Sequence, residues 1–271
     1  MLKLQEYFTN GPARERKLLS LFLTAGFPTP AATIPLLHLL ADNGADLIEL
    51  GMPFSDPLAD GPTIQRTSQI ALQNGITVKK VLQLVAEVTP RLRPPVILMG
   101  YYNPIFKFGP EQFVREAAQA GAQGLIIPDL PPEESRPLQD AAASAGLSLI
   151  YLVSPNTLPH RLQLIDELTT SFVYAVSITG VTGARDAVAA TTMEFLQRLR
   201  RELRHPVLVG FGVANAADAR LLASHCDGVI VGSALLNEIE KDGWLPAGRQ
   251  KIAAFVQSLR AGLAQAQPPA F

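Results

Sequence analysis

Eight short apolar runs recur along this chain, each separated from the next by a longer amphipathic stretch, and that alternation leaves few folds open. The runs cover residues 18–24, 47–51, 96–100, 124–127, 147–152, 172–177, 207–210 and 228–231. Each is almost continuously apolar, the pattern of parallel strands covered on both faces. Between them lie helix patterns such as AATIPLLHLLADNGA, TVKKVLQLVAEV, PEQFVREAAQAGA and NAADARLLASHC. Gly44, Gly121 and Gly146 stand where a helix should stop in the left-handed conformation before the next strand. Eight strand–helix units predict an α/β fold of one kind, the closed (β/α)8 TIM barrel, over an open doubly wound sheet. Such barrels run to about 250 residues, so residues 1–271 are expected to form a single domain. The first residues and the stretch 63–74 are expected as extra helices outside the repeat.

Composition narrows the partners. A net charge of -1 offers no electrostatic footprint for nucleic acid or an anionic membrane. The one basic run, Arg198, Arg200, Arg201 and Arg204, is interleaved with Leu196, Leu199 and Leu203 and reads as a solvated helix face. No apolar run reaches the roughly 20 residues that span a bilayer, and MLKLQEYFTNG lacks the apolar core of a signal peptide. Cys226 is the only cysteine, so no intramolecular disulfide forms and a reducing compartment fits. A soluble cytoplasmic protein is the expectation.

In a TIM barrel the chemistry sits at the C-terminal ends of the strands, in the loops that follow them. The second run, LIELG, carries Glu49 on the face opposite Ile48 and leads into the polar loop MPFSDPLADGP. One of those two faces looks into the barrel. A charged carboxylate buried there needs a partner or a function, and a structural ion pair is one reading open to it. Asp60 follows eleven positions later, far enough for the loop to fold back over the mouth and set a second carboxylate against Glu49 as an acid–base pair. A turn role is equally open to Asp60, and Asp56 before Pro57 reads as a turn residue.

The sixth run leads into SITGVTGAR, where two glycines among small hydroxyl residues suit a mobile lid. The seventh ends GFG and the eighth VGS at the start of a helix, so Gly212, Gly232 and Ser233 are placed to hold a phosphate on backbone amides. The seven lysines (3, 17, 79, 80, 107, 241 and 251) avoid the C-terminal strand ends, which leaves a Schiff-base aldolase without its nucleophile. His38, His160, His205 and His225 do not pair with carboxylates at ligand spacing, so no metal is expected. Proton transfer by carboxylates on a phosphorylated substrate remains.

The motifs ELGMPFSDPLADGPTIQ, YYNP, IIPDLPPEES, SITGVTGAR, GFGV and VGSAL, in this order, resemble those of the tryptophan synthase alpha subunit, from about residue 17 to 236. The resemblance implies retro-aldol cleavage of indole-3-glycerol phosphate to indole and glyceraldehyde 3-phosphate, with Glu49 and Asp60 as the catalytic carboxylates. By that resemblance Asp60 meets the indole N–H, while Glu49 protonates the ring carbon and takes the proton of the side-chain hydroxyl. Phe22, Met99, Ile126 and Leu152 match positions lining the indole pocket, and Tyr174 a tyrosine near the carboxylates. Tyr101, in YYNP, counts among the substrate-binding positions. Thr182 matches a lid residue that meets Asp60 on closure, and Gly183, Gly212, Gly232 and Ser233 match the phosphate cradle. No cofactor is implied in this chain; pyridoxal phosphate belongs to a beta subunit that receives the indole in an alpha2beta2 heterotetramer. A stand-alone indole-releasing lyase and a catalytically silent activator of the beta subunit are the alternatives.

Overall fold

A computed structural model describes residues 3–176, 185–210, 212–242 and 244–266. Its strands are β1 (Leu18–Thr24), β2 (Leu47–Gly51), β3 (Val96–Met99), β4 (Gly124–Ile126), β5 (Ser148–Ile150), β6 (Leu152–Val153), β7 (Val173–Val176), β8 (Val207–Gly210) and β9 (Gly228–Val231). All pair in parallel, in the order β5-β4-β3-β2-β1-β9-β8-β7-β6. The two ends of that order, β5 and β6, are halves of one run separated only by Tyr151. The sheet therefore begins and ends on the same stretch of chain, and the eightfold barrel closes.

The expected run 147–152 differs from what is found in this one respect. Strands in a barrel are tilted and staggered, so one strand need not face both neighbours over the same residues. Ser148–Ile150 pairs with β4, whereas Leu152–Val153 pairs with β7. At the changeover, Tyr151 accepts a hydrogen bond at its carbonyl from Tyr174 N–H (3.0 Å), and its hydroxyl meets Ser135 Oγ at 2.8 Å.

Strand alternation divides the core into two shells. Leu18, Leu47, Ile97, Ile126, Ile150, Tyr174, Leu208 and Ile230 pack inside the barrel. Leu19, Leu21, Leu23, Ile48, Leu50 and Leu98 face the surrounding helices. Glu49 shares the parity of Leu47, which settles the face left open by the sequence: it looks inward.

Both extra helices are present. Leu4–Thr9 closes the N-terminal end of the barrel, with Leu4 and Phe8 in the inner shell and Phe8 stacked on Phe172 at 5.1 Å. Pro62–Gln73 follows the loop that carries Asp60. Gly146 ends the helix Arg136–Ala145 at φ 75° and ψ 22°, the left-handed stop that a side chain disfavours. On the helix Arg185–Glu202, Leu196 and Leu199 are buried while Arg200 and Arg201 are exposed, the solvated face expected. No helix among the described residues is long and apolar enough to cross a membrane.

Candidate active site

Parallel pairing sets the C-terminal ends of all strands at one rim, and the register fixes what meets there. Phe22 lies opposite Glu49 across β1 and β2, Glu49 opposite Ile97, Gly51 opposite Met99, and Met99 opposite Ile126. On the far wall Leu152 is level with Tyr174, and Val176 with Gly210. Glu49 is fully buried, and among the described residues its one hydrogen bond is at Oε1, which accepts from Ser20 Oγ at 2.7 Å. Oε2 is buried without a partner among them. Burial pushes the Glu49 carboxyl up to about 7, and the Ser20 hydrogen bond opposes the rise. A carboxyl so placed is poised to hold or release a proton near neutrality.

Tyr174 feels both carboxyls, and Tyr101 holds the second one. Tyr174 is buried, and its phenol is pushed well above its ordinary value, first by burial and then by the charges of Glu49 and Asp60. Gly210 makes room for it, since a Cβ there would stand 2.3 Å from the Tyr174 hydroxyl oxygen. Asp60 lies on the loop after β2, half-buried, with its carboxyl raised to about 6 by burial against the opposing hydrogen bond of Tyr101. The Tyr101 hydroxyl also accepts from Ala59 N–H at 2.9 Å, and its ring lies 5.4 Å from that of Phe54. Tyr101 thus holds the loop that presents Asp60. A cleft of about 560 Å³ at the loops after β4 and β6, lined among others by Ile127, Asp129, Leu152, Arg161 and Val176, lies to one side of the carboxylates and is lined by neither of them.

A third set of groups lies beside the carboxylates. β8 pairs with β9 and β9 with β1, so the loops after β8 and β9 are neighbours on the Phe22 side of the mouth. Gly212 takes φ 82°, and Ser233 opens the helix Ser233–Asp242 directly after Gly232. Among the described residues, a Cβ on Gly232 would come no closer than an ordinary contact with Phe22 Cβ at 3.5 Å, so packing there does not require glycine. First-turn amides at the start of a helix carry partial positive charge and suit a phosphate dianion.

Residues 8–266 match the family model for the tryptophan synthase alpha chain. The chain belongs to that family. The tryptophan synthase alpha chain of Geotalea daltonii is 43% identical over 267 residues, which are 97% of this chain and 100% of that one. The tryptophan synthase of Saccharomyces cerevisiae is 45% identical over 236 residues, which are 86% of this chain but only 33% of the yeast protein. Among solved structures, the tryptophan synthase alpha subunit of Legionella pneumophila strain Paris superposes with a TM-score of 0.89 at 36% identity, covering 97% and 99% of the two chains. The tryptophan synthase alpha chain is a lyase of tryptophan biosynthesis that cleaves indole-3-glycerol phosphate to indole and glyceraldehyde 3-phosphate.

Within this alpha-chain barrel, Phe22, Glu49, Met99, Ile126, Leu152 and Tyr174 come together in or at the top of the inner shell. Asp60 and Tyr101 meet above them, and Gly212, Gly232 and Ser233 fall on the two neighbouring loops. Thr182 and Gly183 lie outside the described residues, as does the rest of the expected lid from 177 to 184. Among the described residues no three His, Cys, Asp or Glu side chains gather to hold a metal ion. Two participants escaped the sequence reading. Ser20 was hidden inside the run LLSLFLT, although a hydroxyl in the middle of an apolar strand was a visible signal. Gly210 was read as the first residue of the GFG loop, and its role beside Tyr174 depends on where that ring points.

Proposed function

We propose that Glu49 is the group that moves protons in the cleavage of indole-3-glycerol phosphate by this chain, and that Asp60 works opposite it. The observation that carries this reading is the orphan Glu49 Oε2, fully buried at the reacting end of the barrel. Proteins rarely leave such an oxygen unpaired, and a substrate hydroxyl is the partner it lacks. Asp60, raised by burial and held by Tyr101, is placed to accept a hydrogen bond from the indole N–H and favour the tautomer protonated at the ring carbon. Glu49 then delivers the proton to that carbon and takes one from the side-chain hydroxyl. The carbon–carbon bond breaks as the carbonyl of glyceraldehyde 3-phosphate forms, and the bond's electrons return to the indole ring. Phe22, Met99, Ile126 and Leu152 enclose the indole, with Gly212, Gly232, Ser233 and Gly183 around the phosphate. Thr182 is assigned to the lid that meets Asp60. The Glu49→Gln and Asp60→Asn variants are each expected to lower turnover on the order of 10²–10⁴-fold, the usual weight of a positioned proton-transfer group. Near-normal steady-state cleavage in either variant overturns its role.

The same reading includes a beta subunit that receives the indole, carries the pyridoxal phosphate, and assembles with this chain as an alpha2beta2 heterotetramer. The length of the yeast relative supports a coupled partner, because this chain matches only a third of it and the remainder has room for a second catalytic unit. One chain forming one barrel domain, in a reducing cytoplasm that suits the lone buried Cys226, completes the proposal.

A further inference from the structure

We propose that Ser20 is a positioning residue for the cleavage reaction: its hydroxyl pins Glu49 Oε1, so that Oε2 is the oxygen presented to the substrate. The inference rests on the assignment of Glu49 and adds to it the means by which one buried strand aims that carboxylate.

The geometry is specific. Ser20 is the third residue of β1 and the only polar one before Thr24 in a strand buried at every position. It pairs in register with Leu47, and Glu49 is the next inward-facing residue on β2, so the Ser20 hydroxyl reaches along the inner wall to it. The contact is 2.7 Å, and both side chains are at 0% exposure. A glutamate has three side-chain torsions, and apolar neighbours such as Ile97, level with Glu49 on β3, cannot orient a carboxyl. Among the described residues, Ser20 supplies the one hydrogen bond that selects a rotamer. Misplacing a reacting group by about 1 Å can cost on the order of 10²-fold in rate, so this selection matters to turnover.

The hydroxyl also acts on the proton. As a donor it favours the ionised carboxylate, against a burial that favours the neutral acid. Among the described residues, the titratable group that interacts with this carboxyl is Tyr174 from β7, which also feels Asp60 from the loop after β2, while Tyr101 acts on Asp60 from beyond β3. β8 contributes Gly210, β9 Ile230 and β1 Phe22, none of which titrates.

The test is the pH profile of kcat for cleavage of indole-3-glycerol phosphate by the full chain, with infrared titration of the Glu49 carboxyl identified by its loss in Glu49→Gln. In Ser20→Ala the carboxyl band and the matching kinetic limb are expected to move to higher pH by on the order of one unit, the weight of one hydrogen bond to a charged group. The kcat should fall about tenfold with KM little changed, and Ser20→Thr should restore both. Ser20→Cys, nearly isosteric but a weaker donor, should lie between and serves where Ser20→Ala does not fold. A fall in kcat with the limb and the band unmoved shows packing damage alone and overturns the proposal, as does a Ser20→Ala enzyme with a wild-type profile. The infrared band keeps the two assignments separate: were Glu49→Gln fully active, the role of Glu49 would fail while the Ser20 hydrogen bond was still measured.

Discussion

Asp46 and Glu49 stand three positions apart, one just before β2 and the other at its middle, both with buried carboxyls, and they are treated in opposite ways. Asp46, at the N-terminal end of the barrel, is saturated. Arg16 binds Oδ1 through two nitrogens, while Arg260 Nη1 (2.6 Å) and Leu19 N–H (2.9 Å) donate to Oδ2. Arg260 also donates to the Lys17 carbonyl at 2.7 Å, so the last described helix, Pro246–Ala264, is tied to the start of β1 and β2. Glu49 has one hydroxyl and an orphan oxygen. The difference teaches how this barrel divides its work. Charge at the closed end is neutralised to hold the chain's two ends together, and charge at the open end is left unsatisfied for a substrate.

The comparison breaks if the two carboxyls respond alike to removal. Asp46→Ala leaves Arg260 half-buried without its partner, and losing one member of a buried pair typically costs about 3–5 kcal/mol. Urea unfolding should register that loss, while turnover per folded molecule is retained. Glu49→Gln should do the reverse at neutral pH and above, abolishing most turnover with stability equal or greater. An Asp46→Ala protein that unfolds like the wild type, or one that is folded yet inactive, would undo the division.

The second test sharpens the comparison by pH. Glu49 titrates near 7 in the fold against an ordinary value of 4.5. Between those values the folded chain holds a proton that the unfolded chain has released. Stability from this group is therefore full below about pH 4.5 and is lost as pH rises towards 7 and beyond. Asp60 adds a loss of the same sign between 3.8 and about 6. Glu49→Gln removes the first contribution, so its stability relative to wild type should grow with pH and level off above 7 at roughly 3 kcal/mol. Parallel stability curves for the two proteins across that range would show that Glu49 is not held as a buried acid.

Much of this was legible in the sequence, for a physical reason. Strands buried on both faces must be apolar throughout, so β1, β2, β8 and β9 begin and end where the apolar runs do. Glu49 stood out because a charge in such a run is costly. The break at Tyr151 was not legible, because it depends on which neighbour the strand faces at each level of a tilted barrel. Asp46 was equally hidden, because its partner Arg260 is 214 positions away. Asp60 was nameable from its place in the loop but Tyr101 only through a motif, since their meeting depends on how the loop after β2 folds back.

The smallest expected effects separate two glycines that look alike in sequence, Gly210 ending β8 and Gly232 directly following β9. A Cβ on Gly210 would lie 2.3 Å from the Tyr174 hydroxyl and 2.6 Å from two ring atoms, so Gly210→Ala forces a buried ring to move. Overpacking of that kind costs about 1–3 kcal/mol, and it should lower stability along with turnover. A Cβ on Gly232 has only Phe22 at 3.5 Å, an ordinary contact, so Gly232→Ala should fold as the wild type does. If the space above Gly232 belongs to the phosphate, that methyl group should instead raise KM for indole-3-glycerol phosphate by about tenfold, as for one weakened hydrogen bond to a charged group. Affinity for indole alone, which has no phosphate, should be unchanged. Equal losses for indole and for the phosphorylated substrate would move Gly232 out of the phosphate cradle and into the wall of the indole pocket beside Phe22.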